Sequence, residues 1–101
     1  MTEWRYIEGY GHRYIISDEG EVMSLNYAGT GQPRILQLCG DGSEYRKVHL
    51  KRAKNHSRRI AVHRLVALTF IPNPNHFKYV IHINHDKKDN RVSNLMWSKW
   101  A

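Results

Sequence analysis

Val62-His63-Arg64-Leu65-Val66-Ala67-Leu68-Thr69-Phe70-Ile71-Pro72-Asn73-Pro74 is the stretch on which the fold turns. Val62, Leu65, Val66, Thr69 and Phe70 recur at the spacing that brings side chains to one face of an α-helix. Pro72 and Pro74 then stop it, because proline lacks an amide donor and its ring collides with the preceding turn. One amphipathic helix is expected here, with β-structure on both sides of it.

Upstream, Tyr14, Ile15 and Ile16 form an aromatic and β-branched run, and Ser17-Asp18-Glu19-Gly20 supplies a turn ending in a residue tolerant of positive φ. Extended chain resumes over 21–25, giving a hairpin. Residues 26–33 hold two glycines and a proline and read as a loop. Segments 34–38 and 45–51 are expected to pair as a second hairpin across Gly40-Asp41-Gly42. Residues 46–59 carry seven Lys/Arg and two His without an acidic residue, which suits either a DNA-facing strand and loop or a solvated loop. Beyond the helix, 79–83 reads as a short apolar strand, 84–90 as a polar loop and 95–97 as a second short strand.

A chain of 101 residues fits one domain with a thin core. No apolar run approaches the ~20 residues needed to span a bilayer, and the N-terminus lacks a signal-peptide pattern, so a cytoplasmic protein is expected. Cys39 is the only cysteine, which excludes an internal disulfide and a thiolate zinc cluster and leaves a core or turn thiol. The formal charge of +7 is unevenly spread. Residues 1–50 balance to −2, with five Lys/Arg against seven Asp/Glu, and residues 51–101 to +9, with eleven against two. A positive field of this kind suits a phosphate backbone, where neutralised phosphates release counterions.

Two groups of motifs carry a family resemblance. Trp4-Arg5-Tyr6-Ile7-Glu8-Gly9-Tyr10, Tyr14-Ile15-Ile16-Ser17 and Gly20-Glu21-Val22-Met23-Ser24 look like the small module often found at the N-terminus of phage and intron HNH homing endonucleases. Val62-His63-Arg64-Leu65-Val66-Ala67, Phe70-Ile71-Pro72-Asn73-Pro74, Val80, His82, Asp89-Asn90-Arg91-Val92 and Asn94-Leu95-Met96-Trp97 resemble the HNH motif itself, in the family's order. The resemblance implies an α+β fold: antiparallel β-hairpins followed by one helix and a truncated ββα-metal (HNH-like) element. A β-rich nuclease-associated module at 1–51 and an HNH-like module at 59–101 would form one compact unit.

By that resemblance His82 matches the general base, an imidazole whose ordinary pKa near ~6.5 lets it take a proton from water close to neutral pH. Asn94, twelve residues on, matches the middle Asn, whose amide ties the loop and orients the His. His85 is the weaker candidate for the base and stands where the family often has Gly. A divalent ion, Mg²⁺ or Mn²⁺, is implied if the protein cleaves, and no cofactor otherwise. Its expected ligands are His82 with substitute oxygens from Asp86 and Asp89, which as an alternative are simply solvated loop carboxylates. The residue before the base, often an oxygen donor in the family, is Ile81, and the family's last ligand lies on a helix for which residues up to Ala101 leave no room. Three imidazoles, His76, His82 and His85, make a zinc site a further alternative.

The expected DNA face comprises Arg46, Lys47, Lys51, Arg52, Lys54, Arg58, Arg59, His63, Arg64, Lys87, Lys88 and Arg91, with His63 equally readable as a packing residue. Trp97 and Trp100 are expected to close the core, an exposed Trp100 being free to stack instead. Three functions fit: a DNA nickase in the cytoplasm of a phage-infected bacterium, a DNA-binding regulator that has lost cleavage, or a phage inhibitor that binds a host protein.

Overall fold

The computed structural model describes residues 2–26, 31–40, 45–53 and 56–100, with only the backbone described at 52, 53 and 56. Among the described residues nine strands and one α-helix follow in the order β1 (Trp4–Tyr6), β2 (Tyr14–Ser17), β3 (Val22–Ser24), β4 (Arg34–Ile35), β5 (Cys39–Gly40), β6 (Arg46–Ala53), β7 (His56–Ala61), α1 (Val62–Phe70), β8 (Tyr79–His82) and β9 (Leu95–Ser98). They form three antiparallel sheets, β1-β2-β3-β4, β5-β6-β7 and β8-β9. The class is α+β, and no described helix is long and apolar enough to cross a membrane.

Period-two burial explains the strands. Tyr14 and Ile16 of β2 and Val22 and Ser24 of β3 point inward while Ile15 and Met23 lie half-exposed between them. Ile16 pairs with Val22, and both are fully buried. In β6, Val48 and Leu50 are buried between the exposed His49 and Lys51, so an apolar alternation runs through the most cationic part of the chain.

Helix α1 begins directly after the last residue of β7, and Ala61 caps it with no side-chain bond. Its anchorage is burial: Val62, Leu65, Val66 and Ala67 face the core, which also takes in Ile7, Tyr14, Ile16, Val22, Val48, Leu50 and Leu95 from all three sheets and the chain leading from β1. At its end, Arg5 donates to the Thr69 carbonyl at 3.2 Å and its guanidinium lies 4.8 Å from the Phe70 ring centre. The indole N–H of Trp97 donates to the Ile71 carbonyl at 3.0 Å. Carbonyls that the terminated helix leaves unpaired are thereby satisfied from both ends of the chain.

The second expected hairpin forms with a different first arm: β6 pairs antiparallel with Cys39 and Gly40 of β5, not with 34–38. Residues 34 and 35 pair instead with β3, Met23 opposite Ile35, and β6 takes β5 on one side and β7 on the other. An eight-residue strand finds a longer partner in the six residues of β7 than 34–38 could offer. Of the two readings open for the cationic run 46–59, the strand holds at β7, which includes Arg58 and Arg59. Cys39 lies half-buried in β5, its thiol 3.5 Å from the Lys47 carbonyl. Trp97 is buried, but Trp100 is 72% exposed and does not close the core.

The backbone amide of Lys51 in β6 donates to the Tyr14 hydroxyl of β2 at 2.9 Å, joining two sheets. Tyr14→Phe leaves that amide without its partner, and a loss of about 1–2 kcal/mol is expected. Urea unfolding checks this: the midpoint should fall with an unchanged slope.

Candidate active site and cationic groove

Strand β8 ends on His82, which is buried to 7% exposure, and its neighbour across the sheet is Leu95. The chain then makes a polar loop before β9, and Asn94 closes it. The Asn94 amide oxygen accepts from the Asn84 backbone N–H at 3.0 Å, and its NH₂ donates to Asn84 Oδ1 and to the Asp89 carbonyl, both at 2.9 Å. The Ile83 amide donates to the Asn94 carbonyl at 2.8 Å. With every polar atom of a buried amide used, the loop has a defined shape. His85 takes φ of +64° within it, a left-handed conformation that favours glycine and costs a His side chain little only by comparison with bulkier types.

His82 Nε2 lies 2.8 Å from Oδ1 of Asn90, itself buried. Around the imidazole stand two other rings, Tyr45 and His63, with centroids 6.0 and 5.0 Å from that of His82. The Lys87 ammonium sits 4.9 Å from the Tyr45 ring centre. These side chains border a groove of about 650 Å³ that is also edged by Arg64, His85, Tyr79 and Trp100. Arg64 reaches along it, donating to the Lys78 carbonyl at 2.7 Å and lying 5.8 Å from the Trp97 ring centre.

The expected metal ligands are not gathered. Asp89 accepts from Arg91 Nε at 2.7 Å and from its terminal nitrogen at 2.6 Å, and from the Asn84 amide at 3.0 Å. These bonds, Arg91 first, hold the Asp89 carboxyl down to about 2. Asp86 receives the Lys88 amide on Oδ1 at 3.0 Å, an Asx turn of the kind that caps loops. Ile81 has no donor atom. Among the described residues no group of three or more His, Cys, Asp and Glu is placed to share one ion, which also removes the grouping of His76, His82 and His85. A hard divalent cation needs several oxygens, and the described residues do not assemble that cage.

The expected DNA residues divide. Alternation in β6 and β7 puts Lys47, His49 and Lys51 on one face with Arg59, while Arg58 stands opposite Leu50 on the other. Lys51, Arg58, Arg59, Arg64, Lys88 and Arg91 are exposed, and Arg46, Lys47, His63 and Lys87 half-buried. Arg91 is committed to Asp89. Lys54 and the side chain of Arg52 lie outside the described residues. The described cations of β6 and β7 therefore do not form one continuous face: Lys47, Lys51 and Arg59 share one side of the ribbon, and Arg58 lies on the side that buries Val48 and Leu50. Asn90, Tyr45 and Gly20 belong to the site's surroundings; Gly20 and Asn90 stood within the quoted motifs without a site role, and Tyr45 carried no local signal.

His63 lies half-buried, stacked 5.1 Å from the Tyr45 ring centre, and its Nδ1 is buried without a hydrogen-bond partner. Burial first, then the neighbouring His82 and Arg64, pushes its pKa from 6.5 down to about 4. The folded state therefore binds fewer protons there than the unfolded chain between these two values. The contribution to stability is intact above pH 6.5 and is lost as pH falls toward 4. A histidine NMR titration should find one imidazole neutral to about pH 4, and His63→Phe should flatten the acid side of the stability profile.

The sequence matches the family model described as HNH endonuclease over residues 61–100. Among curated relatives it is 41% and 36% identical to two uncharacterized HNH endonucleases of Acanthamoeba polyphaga mimivirus, over 90% and 85% of this chain but 22% and 24% of theirs. It is 33% identical to the DNA endonuclease I-HmuI of Bacillus phage SP01, over 94% of this chain and 51% of that protein. The solved structure of I-HmuI, a homing endonuclease described with DNA binding and cleavage, superposes with a TM-score of 0.79 at 30% identity, over 95% of this chain and 52% of that one. The chain thus spans about half of I-HmuI and about a quarter of the viral relatives. With the motif at 61–100 and the fold of I-HmuI around it, this chain belongs to the HNH endonuclease family.

Proposed function

We propose that this chain grips double-stranded DNA with the cationic β6–β7 ribbon and sets a phosphodiester in the groove beside His82, which acts as general base. The observation that carries this reading is the setting of His82, an imidazole at a strand end, braced by Asn90 and opening on a groove edged by Arg64 and Lys87. In this reading His82 takes a proton from water as its oxygen bonds to phosphorus, the P–O3′ bond breaks in line, and the 3′-oxygen is protonated from solvent. Residues 1–51 act as the nuclease-associated module and 59–101 as the HNH-like module, inside a virus-infected cell as the viral relatives suggest.

A second reading has its own support. Ile81 in place of an oxygen donor, and Asp89 held by Arg91, favour a DNA-binding regulator of the HNH type without cleavage. Supercoiled plasmid incubated with Mg²⁺ or Mn²⁺ separates the two. Nicking by the unaltered chain, reduced about 10²- to 10⁴-fold by His82→Ala, is expected from the loss of a general base. Equal plasmid profiles for both proteins would replace the nuclease reading with the regulator.

DNA affinity should fall steeply with salt, by a slope that counts phosphates contacted. Reversing Arg58 and Arg59 together to Glu should weaken binding to all sequences alike. Of the single reversals Arg59→Glu should cost more, because it shares its face with Lys47 and Lys51. Filter binding or fluorescence anisotropy over a salt series checks all three, and a flat slope would remove the phosphate-contact picture.

A further inference from the structure

Asn90 is 4% exposed and is held between two distant parts of the chain. On one side its Oδ1 meets Nε2 of His82 at 2.8 Å. On the other it presses on the turn between β2 and β3, where a Cβ built on Gly20 would stand 2.9 Å from the Asn90 Cβ and 3.1 Å from its carbonyl oxygen. Gly20 has φ of +88° and no side chain, and both features are needed for so close an approach.

That turn is firmly tied. Ser17 is fully buried, and its hydroxyl oxygen accepts the amides of Glu19 and Glu21 at 3.2 and 3.0 Å. The Gly20 amide donates to the Ser17 carbonyl at 3.1 Å, and the amide of Val92, two residues past Asn90, donates to the Asp18 carbonyl at 2.8 Å. The turn thus touches Asn90 directly and holds the chain that follows it.

We propose that Asn90 is a positioning residue that keeps neutral His82 in the tautomer protonated on Nε2, and that the β2–β3 turn, through Gly20 and Asp18, holds Asn90 in place. An amide oxygen has no proton to give, so the ring nitrogen facing it must carry one, and a neutral imidazole has only one. The lone pair is left on Nδ1, the atom that can then receive a proton from water. A turn near the start of the sequence becomes part of the machinery of a site whose other residues, Tyr45 apart, come from the second half. The catalytic meaning of this rests on the reading of His82 as the base, whereas the tautomer itself does not.

The test reads the ring directly. In chain labelled with ¹⁵N-histidine, at a pH where the imidazole is neutral, two-bond ¹H–¹⁵N correlation reports which nitrogen of His82 carries the proton, with the signal assigned by its loss in His82→Gln. The Nε2–H form should dominate in the unaltered chain, and Asn90→Ala should lower its ratio to the Nδ1–H form about fivefold to tenfold, the worth of one buried hydrogen bond. Gly20→Ala should shift the ratio the same way although Gly20 touches no imidazole. Because that variant can fail to fold, Val92→Pro cuts the same tie from the other end. Proline is tolerated there, at the first residue of the 3₁₀ turn Val92–Asn94 behind Arg91 with φ −67° and ψ 143°.

A dominant Nδ1–H form in the unaltered chain, an unchanged ratio in Asn90→Ala, or an unchanged ratio in folded Gly20→Ala or folded Val92→Pro would overturn the proposal. Failure of the unaltered chain to nick plasmid would overturn the nuclease reading and leave the tautomer result standing.

Discussion

The burial of one face of α1 is the constraint on which the rest of the molecule depends. Val62 and Val66 are fully buried, and the helix packs on β2, β6, β7, β8 and β9. Two- and three-stranded sheets are marginal in water on their own. Here each turns a few apolar residues toward the same helix, at roughly 1.5–3 kcal/mol for each large aliphatic side chain removed from water. The helix is nine residues long and lacks a capping side chain at its start, too short to persist alone. Helix and sheets are therefore stable only together, and no one of them is the scaffold for the others.

A core this thin leaves the site to be shaped by polar groups. Between β8 and β9 the amides of Asn84 and Asn94 and the carboxylates of Asp86 and Asp89 are all engaged within the loop, so its form comes from hydrogen bonds rather than from packing. Those same bonds remove Asp89 from any role as a free anion. Two acidic side chains in the second half are thus used internally, and the excess of Lys and Arg there meets little opposing charge.

The edge of the core is also where local rules are broken. His63 is half-buried with an unpartnered ring nitrogen, next to another buried imidazole. Desolvation without a compensating bond costs free energy, and such departures concentrate at sites kept for function. The neighbouring rings of Tyr45, His63 and His82 join the residue just before β6, the helix and the end of β8.

Reading the sequence alone was enough for elements whose signal is local. The helix at 62–70 follows from its periodicity and from Pro72, the hairpin around 17–20 from its turn residues, and the strands on either side of the polar loop from short apolar runs with polar flanks. The motifs around His82 and Asn94 identified the family for the same reason, since their spacing is written along the chain. What required tertiary structure was every pairing between distant segments: residues 34 and 35 joining β3, β7 covering β6 despite its charge, Trp100 remaining exposed, and Asp89 turning to Arg91. Asn90 is the sharpest instance. Its role depends on a glycine seventy residues earlier in the chain, and a contact of that kind is set by how three sheets share one helix, a global balance of burial that no local pattern of residues encodes.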